Sequence, residues 1–397
     1  MTSNTNFAPC YGNQSSYSFK KSRLTATTGT DNYNKLASLD VEIKIGASRL
    51  VDASPLAPIT DAHVVRLDIN SVTTTQWTFN RVGEVRLAAF SEYGIIGQYR
   101  PRTVDEWIDL AETIPGPVTD KIAEQARRLG VYIVGNLYER DDTWPGRLWN
   151  TNFIINDEGK IILKYRKNNG PNNLNTVYTG PGDVYDEYTA RYGELSMFPV
   201  VDTPIGVLGT LTCTDIIFPE MARSLALQGA EVLIHPTAEP WSDVDQMWDI
   251  FRRARAYENL AYFLSVCAGA FLGSDRPRSG YRGNSQVIDH MGRVVSIAAG
   301  SGEAVCVGQV DINALREMRS RKPGSSGHEW NQLVELRSDL FAEVYKRAQR
   351  WPNNGWSDRL IKSTVETREK GREIIDSLLE KGFLKKPKLI FRNFWIK

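Results

Sequence analysis

Three consecutive runs, VLGTLTC, PEMARSLALQ and EVLIHP, constrain this chain more than any other feature. The first and third are apolar and β-rich. The middle one places Met221, Ala222, Leu225 and Ala226 at helical spacing on one face. Strand, helix and strand within residues 207–236 predict an α/β fold, with helices covering layers of strands. The same alternation appears earlier and later. VRLAAF at 85–90 reads as a strand. Residues 119–129 read as a helix with Ile122, Ala126 and Leu129 on one face and Gly130 as its stop, and VYIVGNLY follows as a strand. A helix over 252–260 leads into the strand AYFLSVCA. Two hairpins, NTNFIINDEGKIILKYRK with its turn at 156–159 and NSQVIDHMGRVVSIA with its turn at 289–292, argue against a purely parallel sheet.

Composition narrows the class. The 397 residues are 41% hydrophobic and 24% charged, ordinary for a globular protein with a sizeable core. A net charge of +1 supplies no field that would steer the chain to nucleic acid or an anionic membrane. The four cysteines, Cys10, Cys213, Cys267 and Cys306, have no regular spacing, so neither a disulfide framework nor a zinc site is expected. The N-terminus is polar, no run reaches membrane-spanning length, and a cytosolic location is the expectation. Three regions are expected: an N-terminal extension over 1–60, rich in Ser, Thr, Asn and Gly and lying on the surface; a catalytic-type domain over 61–326; and helices with a tail over 327–397. Residues 330–350 and 363–381 read as helical. The last segment, KGFLKKPKLIFRNFWIK, carries six basic residues and no acidic one, and reads as a tail packed by its aromatics.

Candidate chemistry starts at Cys213, where a strand turns into a helix. A residue there sits at the rim of a sheet, as the serine of a nucleophile elbow does. Helix N–H groups nearby would favour a thiolate, and the Thr214 N–H would face an oxyanion. The spacing alone leaves open a small apolar filler. None of the four histidines lies in a Cys–His motif. A carboxylate would therefore serve as base, and Glu92 follows an apolar strand directly, although a solvated loop glutamate fits the same spacing. Lys167 ends the second strand of a hairpin, either as a fixed ammonium or within a solvated basic cluster.

The order FSEY, then NTNFIINDEGKIILKYRKNN, then CTDIIFPE before an amphipathic helix, resembles the nitrilase superfamily of carbon–nitrogen hydrolases, in its amidase-like branch. The resemblance runs from about residue 83 to 312 and takes in ARAYENLAYFLSVCA and GNSQVIDHMGRVVS. It implies a four-layer αββα sandwich that pairs to αββα–αββα in a dimer. It implies Cys213 as nucleophile, Glu92 as base and acid, and Lys167 as oxyanion stabiliser, with Tyr93 and Asp215 in supporting places. That chemistry needs no metal or organic cofactor. Many relatives carry a second glutamate after the lysine; here Asn175 or Asn173 stands near its place. Cys213-Thr214-Asp215 differs from the Cys-Trp-Glu of nitrilases. Ile216 and Ile217 stand where carbamoyl hydrolases often carry arginines. An uncharged small-molecule amide is therefore the expected substrate, in a pocket lined by Tyr93, Thr214, Asn175, Trp241 and Trp149. Carbamoyl hydrolysis, nitrile hydrolysis, acyl transfer and a non-catalytic scaffold are the alternatives. A homodimer or larger homo-oligomer is expected, its C-terminal segment reaching across subunits.

Overall fold

The computed structural model describes residues 62–66 (backbone), 85–95, 103–168, 177–240, 247–269, 281–298, 300, 304–322, 331–348 and 351–387. The expected N-terminal extension, Asn173, Asn175, Trp241 and the tail beyond 387 lie outside them.

Among the described residues, twelve strands form two six-stranded sheets. The first runs β12 (Val307–Val310), β1 (Ala62–Arg66), β2 (Leu87–Ala89), β3 (Tyr132–Glu139), β4 (Trp149–Ile155), β5 (Ile161–Arg166). The second runs β11 (Val294–Ala298), β10 (Ser285–Ile288), β9 (Tyr262–Cys267), β8 (Val232–Thr237), β7 (Gly206–Thr210), β6 (Val200–Thr203). Each sheet has a parallel centre, β1-β2-β3 and β7-β8-β9, flanked by antiparallel strands. Both expected hairpins are present, as β4–β5 and β10–β11.

The burial pattern follows from this layering. β3, β4, β8 and β9 are buried along their whole length, so the polar side chains they carry, such as Asn136, Asn150, Asn152 and His235, are buried with the apolar ones. The edge strand β11 keeps Val294, Val295 and Ile297 exposed. Between the sheets, Leu87, Val134 and Ile154 of the first meet Leu208, Ile234 and Leu264 of the second in one cluster. Full burial of each such side chain is worth about 1.5–3 kcal/mol. The sheets approach closely at Gly308, where an added Cβ would lie 2.7 Å from Cβ of Val287.

Helices cover the outer faces, completing the αββα order. On the first sheet, α1 (Val104–Leu110) starts with a reciprocal cap between Thr103 and Glu106. Then α2 (Pro117–Leu129) buries Ala123 and Ala126 against that sheet's outer face. It stops at Gly130, whose φ of +65° is left-handed. A short α3 (Tyr185–Tyr192) follows β5. On the second sheet, α4 (Pro219–Leu227) and α5 (Met247–Glu258) pack through Ala222, Leu225, Trp248 and Ala256. Then come α6 (Ile312–Ser320), α7 (Ser338–Ala348) and α8 (Thr364–Glu380).

Two helix boundaries differ from expectation. α5 begins at Met247 rather than 252, and the left-handed Leu260 (φ +43°) marks its exit. α7 begins at Ser338 rather than 330. The Asn331 side chain accepts from the N–H groups of Leu333 and Val334, and this local turn competes with a helical start.

Candidate active site

Glu92, Lys167 and Cys213 meet between the sheets, near the carboxyl ends of β2, β5 and β7, with exposures of 0%, 1% and 3%. Open α/β sheets present chemistry at those ends. Lys167 Nζ lies 2.9 Å from Glu92 Oε1. The same oxygen accepts from Asn150 Nδ2 at 2.9 Å. Glu92 Oε2 is buried and has no hydrogen-bond partner among the described residues. A buried carboxylate oxygen without a donor is costly, and such groups mark places where another atom must come.

A ladder of amides fixes Glu92. Asn136 Nδ2 donates to Asn150 Oδ1 at 2.7 Å and to Asn152 Oδ1 at 2.9 Å. Asn136 Oδ1 accepts the Tyr93 N–H at 2.9 Å, where the backbone turns left-handed with φ +58°. Asn152 Nδ2 crosses to the other sheet and donates to Thr210 Oγ1 at 2.8 Å, which donates to the Ile234 carbonyl at 2.9 Å. The ladder ties the base-bearing turn to the strand that carries the cysteine.

Alternation along the YRK run sends its three side chains to different jobs. Tyr165 donates to Asp215 Oδ2 at 2.5 Å. Arg166 pairs with Glu139 at 2.9 Å and lies 4.2 Å over the Trp149 ring. Lys167 enters the site, its Nζ 5.5 Å from the Tyr178 ring centre. Burial alone would discharge this ammonium, but Glu92 beside it, with Tyr178, Cys213 and Asp215, holds its pKa well above the ordinary lysine value. The solvated-cluster reading of Lys167 is thereby corrected.

Cys213 opens a one-turn 3-10 helix, Cys213–Ile217, and α4 starts only afterwards at Pro219. The expected direct passage from strand into α-helix is replaced by this turn. Cys213 is left-handed, with φ +46°. A non-glycine residue there costs about 1–2 kcal/mol, so the surroundings must hold it. Hydrogen bonds to the Thr212 N–H and to three carbonyls of the turn do so. Asp215 Oδ2 accepts the Thr212 N–H at 3.0 Å. Arg255 donates to the carbonyls of Ile216 at 3.0 Å and Ile217 at 3.2 Å. His235 Nε2 lies 2.9 Å from the Cys213 carbonyl and Nδ1 lies 3.1 Å from Ser265 Oγ. A carbonyl only accepts, so Nε2 carries the proton and Nδ1 accepts from the serine. Burial lowers the His235 pKa to about 3, leaving the ring neutral.

The thiol departs from expectation too. Burial, then the Glu92 charge, pushes its pKa well up, while Lys167, the Thr237 hydroxyl and the Ala238 N–H pull the other way. Cys213 therefore rests as a thiol. Of the other expected residues, Tyr93 is buried beside the site and Thr214 is half-buried in the turn. Trp149 packs with Trp144, Val184 and Tyr188 in a separate cluster, not against the triad. Ile216 is in the core and Ile217 is exposed, so Ile217 does not line the site. Sequence reasoning missed the three asparagines, Thr210, His235, Tyr178 and Ala238.

The family model described as carbon-nitrogen hydrolase matches residues 69–320. The chain belongs to the carbon-nitrogen hydrolase family. It is 29% identical over 221 residues to the deaminated glutathione amidase of Homo sapiens, covering 55% of this chain and 65% of that protein, just under two thirds of its length. To the omega-amidase NIT2 of Mus musculus it is 29% identical over 239 residues, 60% of this chain and 80% of that one. Among solved structures, the carbon-nitrogen hydrolase of Helicobacter pylori G27 shares the fold with a TM-score of 0.57 at 20% identity, covering 72% of this chain and 99% of that one. No helix among the described residues is long and apolar enough to cross a membrane.

Proposed function

We propose that this carbon–nitrogen hydrolase cleaves the C–N bond of a small, uncharged linear amide through a thioester on Cys213. The unpartnered Glu92 Oε2, next to an oxygen already held by Asn150 and Lys167, carries the reading. A carboxylate so oriented has one lone pair free for a proton. Glu92 takes the thiol proton as sulfur bonds to the amide carbon and the C=O electron pair moves onto oxygen. The Lys167 ammonium and the Thr214 N–H stabilise that oxyanion. The oxyanion collapses, the C–N bond breaks, and Glu92 gives its proton to the leaving amine. Water then enters; Glu92 takes one proton from it, hydroxide adds to the thioester carbon, the C–S bond breaks to release the acid, and Glu92 returns its proton to the departing sulfur, restoring thiol and carboxylate. No step calls for a cofactor. The amidase names of the relatives support this class of substrate.

Mass spectrometry of the intact protein with a panel of linear amides tests the proposal. The expected result is an acyl adduct on wild type, absent from Cys213→Ala, with matching release of ammonia or amine. A panel that gives neither adduct nor product sinks it. Added hydroxylamine separates transfer from hydrolysis by diverting the acyl group to a hydroxamate.

A homodimer is proposed as well. Its support is apolar surface on the helices of the second sheet. Phe218 and Leu227 are exposed there, as are Leu340, Phe341 and Val344 of α7, which Tyr345 joins to Glu220 at 2.7 Å. Light scattering that finds a monomer at micromolar concentration would count against it.

A further inference from the structure

Residues 351–362 lie beyond the segment that matches the family, residues 69–320, yet they pack into the body of the same chain. Arg147, 8% exposed, donates to the carbonyls of Trp356 at 3.0 Å, Ser357 at 2.7 Å and Arg359 at 3.3 Å. The Asn354 N–H donates to the Gly182 carbonyl at 2.9 Å, and the Asn354 side chain accepts the Asp186 N–H at 3.0 Å. Such a set of bonds from one buried guanidinium and two backbone groups fixes the path of a segment that has no regular structure of its own.

The path delivers two side chains to a particular place. Leu360 and Ile361, 7% and 2% exposed, belong to one apolar cluster with Tyr93, Tyr178 and Ala238. Each of those three adjoins a different member of the triad. Tyr93 follows Glu92 in sequence; Tyr178 flanks the Lys167 ammonium; the Ala238 N–H faces the Cys213 sulfur. An apolar cluster that touches the surroundings of base, ammonium and nucleophile together borders the volume a substrate must enter.

We infer that Leu360 and Ile361 form the apolar wall of the substrate pocket and set the length of acyl group it accepts. The wall selects a short, uncharged, aliphatic acyl chain, because a carboxylate or ammonium pressed on it would lose its water without a partner. Naming the ligand an amide rests on the function proposed above; the position of the wall does not.

The test compares wild type with Leu360→Ala, Ile361→Ala and Ile361→Val on acetamide, propionamide, butyramide and hexanamide. Removing apolar bulk from a pocket alters discrimination by about tenfold or more. The hexanamide-to-acetamide ratio of kcat/KM should rise by that factor in the alanine variants and by a smaller factor in Ile361→Val, which loses one methyl and keeps the fold. A second readout needs no turnover. Methyl and hexyl methanethiosulfonate transfer their alkylthio groups to the Cys213 sulfur, with methanesulfinate leaving, and Cys213→Ala corrects for the other cysteines. The hexyl-to-methyl rate ratio should rise in the same variants. If wild type cleaves no amide but the thiol ratio shifts, the amidase reading falls and the wall stands. If every amide and both thiosulfonates change by one common factor, or none changes, Leu360 and Ile361 only support the fold and the inference is overturned.

Discussion

Among the described residues, two ion pairs are fully buried at both partners, and they are built differently. Lys167–Glu92 and Arg252–Glu239 both show 0% side-chain exposure for each partner. Each carboxylate follows the carboxyl end of a central strand, Glu92 after β2 of the first sheet and Glu239 after β8 of the second. Arg252 Nη2 reaches both oxygens of Glu239 at 2.6 Å, and Arg282 stands 3.8 Å from one of them. Glu239 is saturated. Glu92 has two donors on one oxygen and none on the other. A pair meant only to hold the chain satisfies its lone pairs, since an unmade bond in a low dielectric is costly. A pair that retains an open lone pair has that site reserved for a reacting group. The Arg252–Glu239 pair clamps the segment that offers Ala238 to the sulfur; in the proposed mechanism, Glu92 of the other pair moves the proton.

The strongest way to break that comparison is to make the same change in both. Glu92→Gln keeps an acceptor for Lys167 and Asn150 but removes the basic oxygen. General acid–base groups contribute about 10²–10⁴-fold, so kcat should fall by that much in protein that still titrates with a thiol reagent. Glu239→Gln should leave a larger share of kcat in the folded fraction. Equal losses from both changes would show that the open oxygen is no proton carrier.

The second test exchanges stability for activity. Arg252→Met leaves Glu239 buried without its partner, and breaking such a pair costs about 3–5 kcal/mol in a urea melt. Adding Glu239→Leu should recover most of that loss, because a well-packed apolar pair replaces a buried salt bridge at little cost. No double replacement of Glu92 and Lys167 should recover turnover. If the Arg252→Met melt matches wild type, Glu239 is not clamped as described.

Each member of the proposed trio ends a local pattern: an apolar run before Glu92, a hairpin before Lys167, a strand and helix around Cys213. Those patterns left a solvated glutamate, a basic cluster and an apolar filler open; the resemblance to the nitrilase superfamily, carried by the order of the three motifs, implied the roles. The αββα layering came from that resemblance too, since the alternation of strands and helices gave only an α/β fold. What supports the trio was not legible. Asn136 and Asn152 stand opposite each other only because β3 and β4 pair in one register. His235 meets Ser265 by the register of β8 with β9. Single polar residues in strands look like solvated faces until that register is known. The 3-10 turn at Cys213 escaped because Pro219 marks where α4 begins, not what precedes it. Leu360 escaped because its neighbours are polar and aperiodic, and its burial depends on Arg147, more than two hundred residues away.

His235 and Asp183 sharpen the comparison at smaller scale, since each is a buried titratable group with no ion pair of that saturated kind. Burial holds the folded pKa of His235 at about 3, below the usual 6.5. Its contribution to stability is therefore present above pH 6.5 and is lost as pH falls toward 3. His235→Gln can still donate to the Cys213 carbonyl and should cost about 1 kcal/mol at pH 7.5, one hydrogen bond's worth. The cost should shrink steadily below pH 6. A constant cost across that range would mean that His235 takes up its proton as readily in the fold as in the unfolded chain.

Asp183 carries the smallest and opposite effect. It is buried under the C-terminal segment, and its oxygen accepts the Gly180 N–H at 2.8 Å. Burial raises its pKa from 3.8 to about 6, against the pull of that N–H and of Arg147. A carboxyl raised in this way stabilises the fold fully below pH 3.8 and loses that contribution as pH rises through 6. Asp183→Asn keeps the acceptor and the shape but has no charge to bury. It should raise the melting temperature slightly at pH 7.5 and have no such benefit at pH 4, where wild type is itself protonated. Burial raises the Glu239 pKa as well, but Arg252 pulls against it with bonds to both oxygens; Asp183 lacks a bonded cation, so removing its charge should help more than removing that of Glu239. A variant less stable than wild type at pH 7.5 would instead show that Arg147 holds the Asp183 charge as firmly as Arg252 holds that of Glu239.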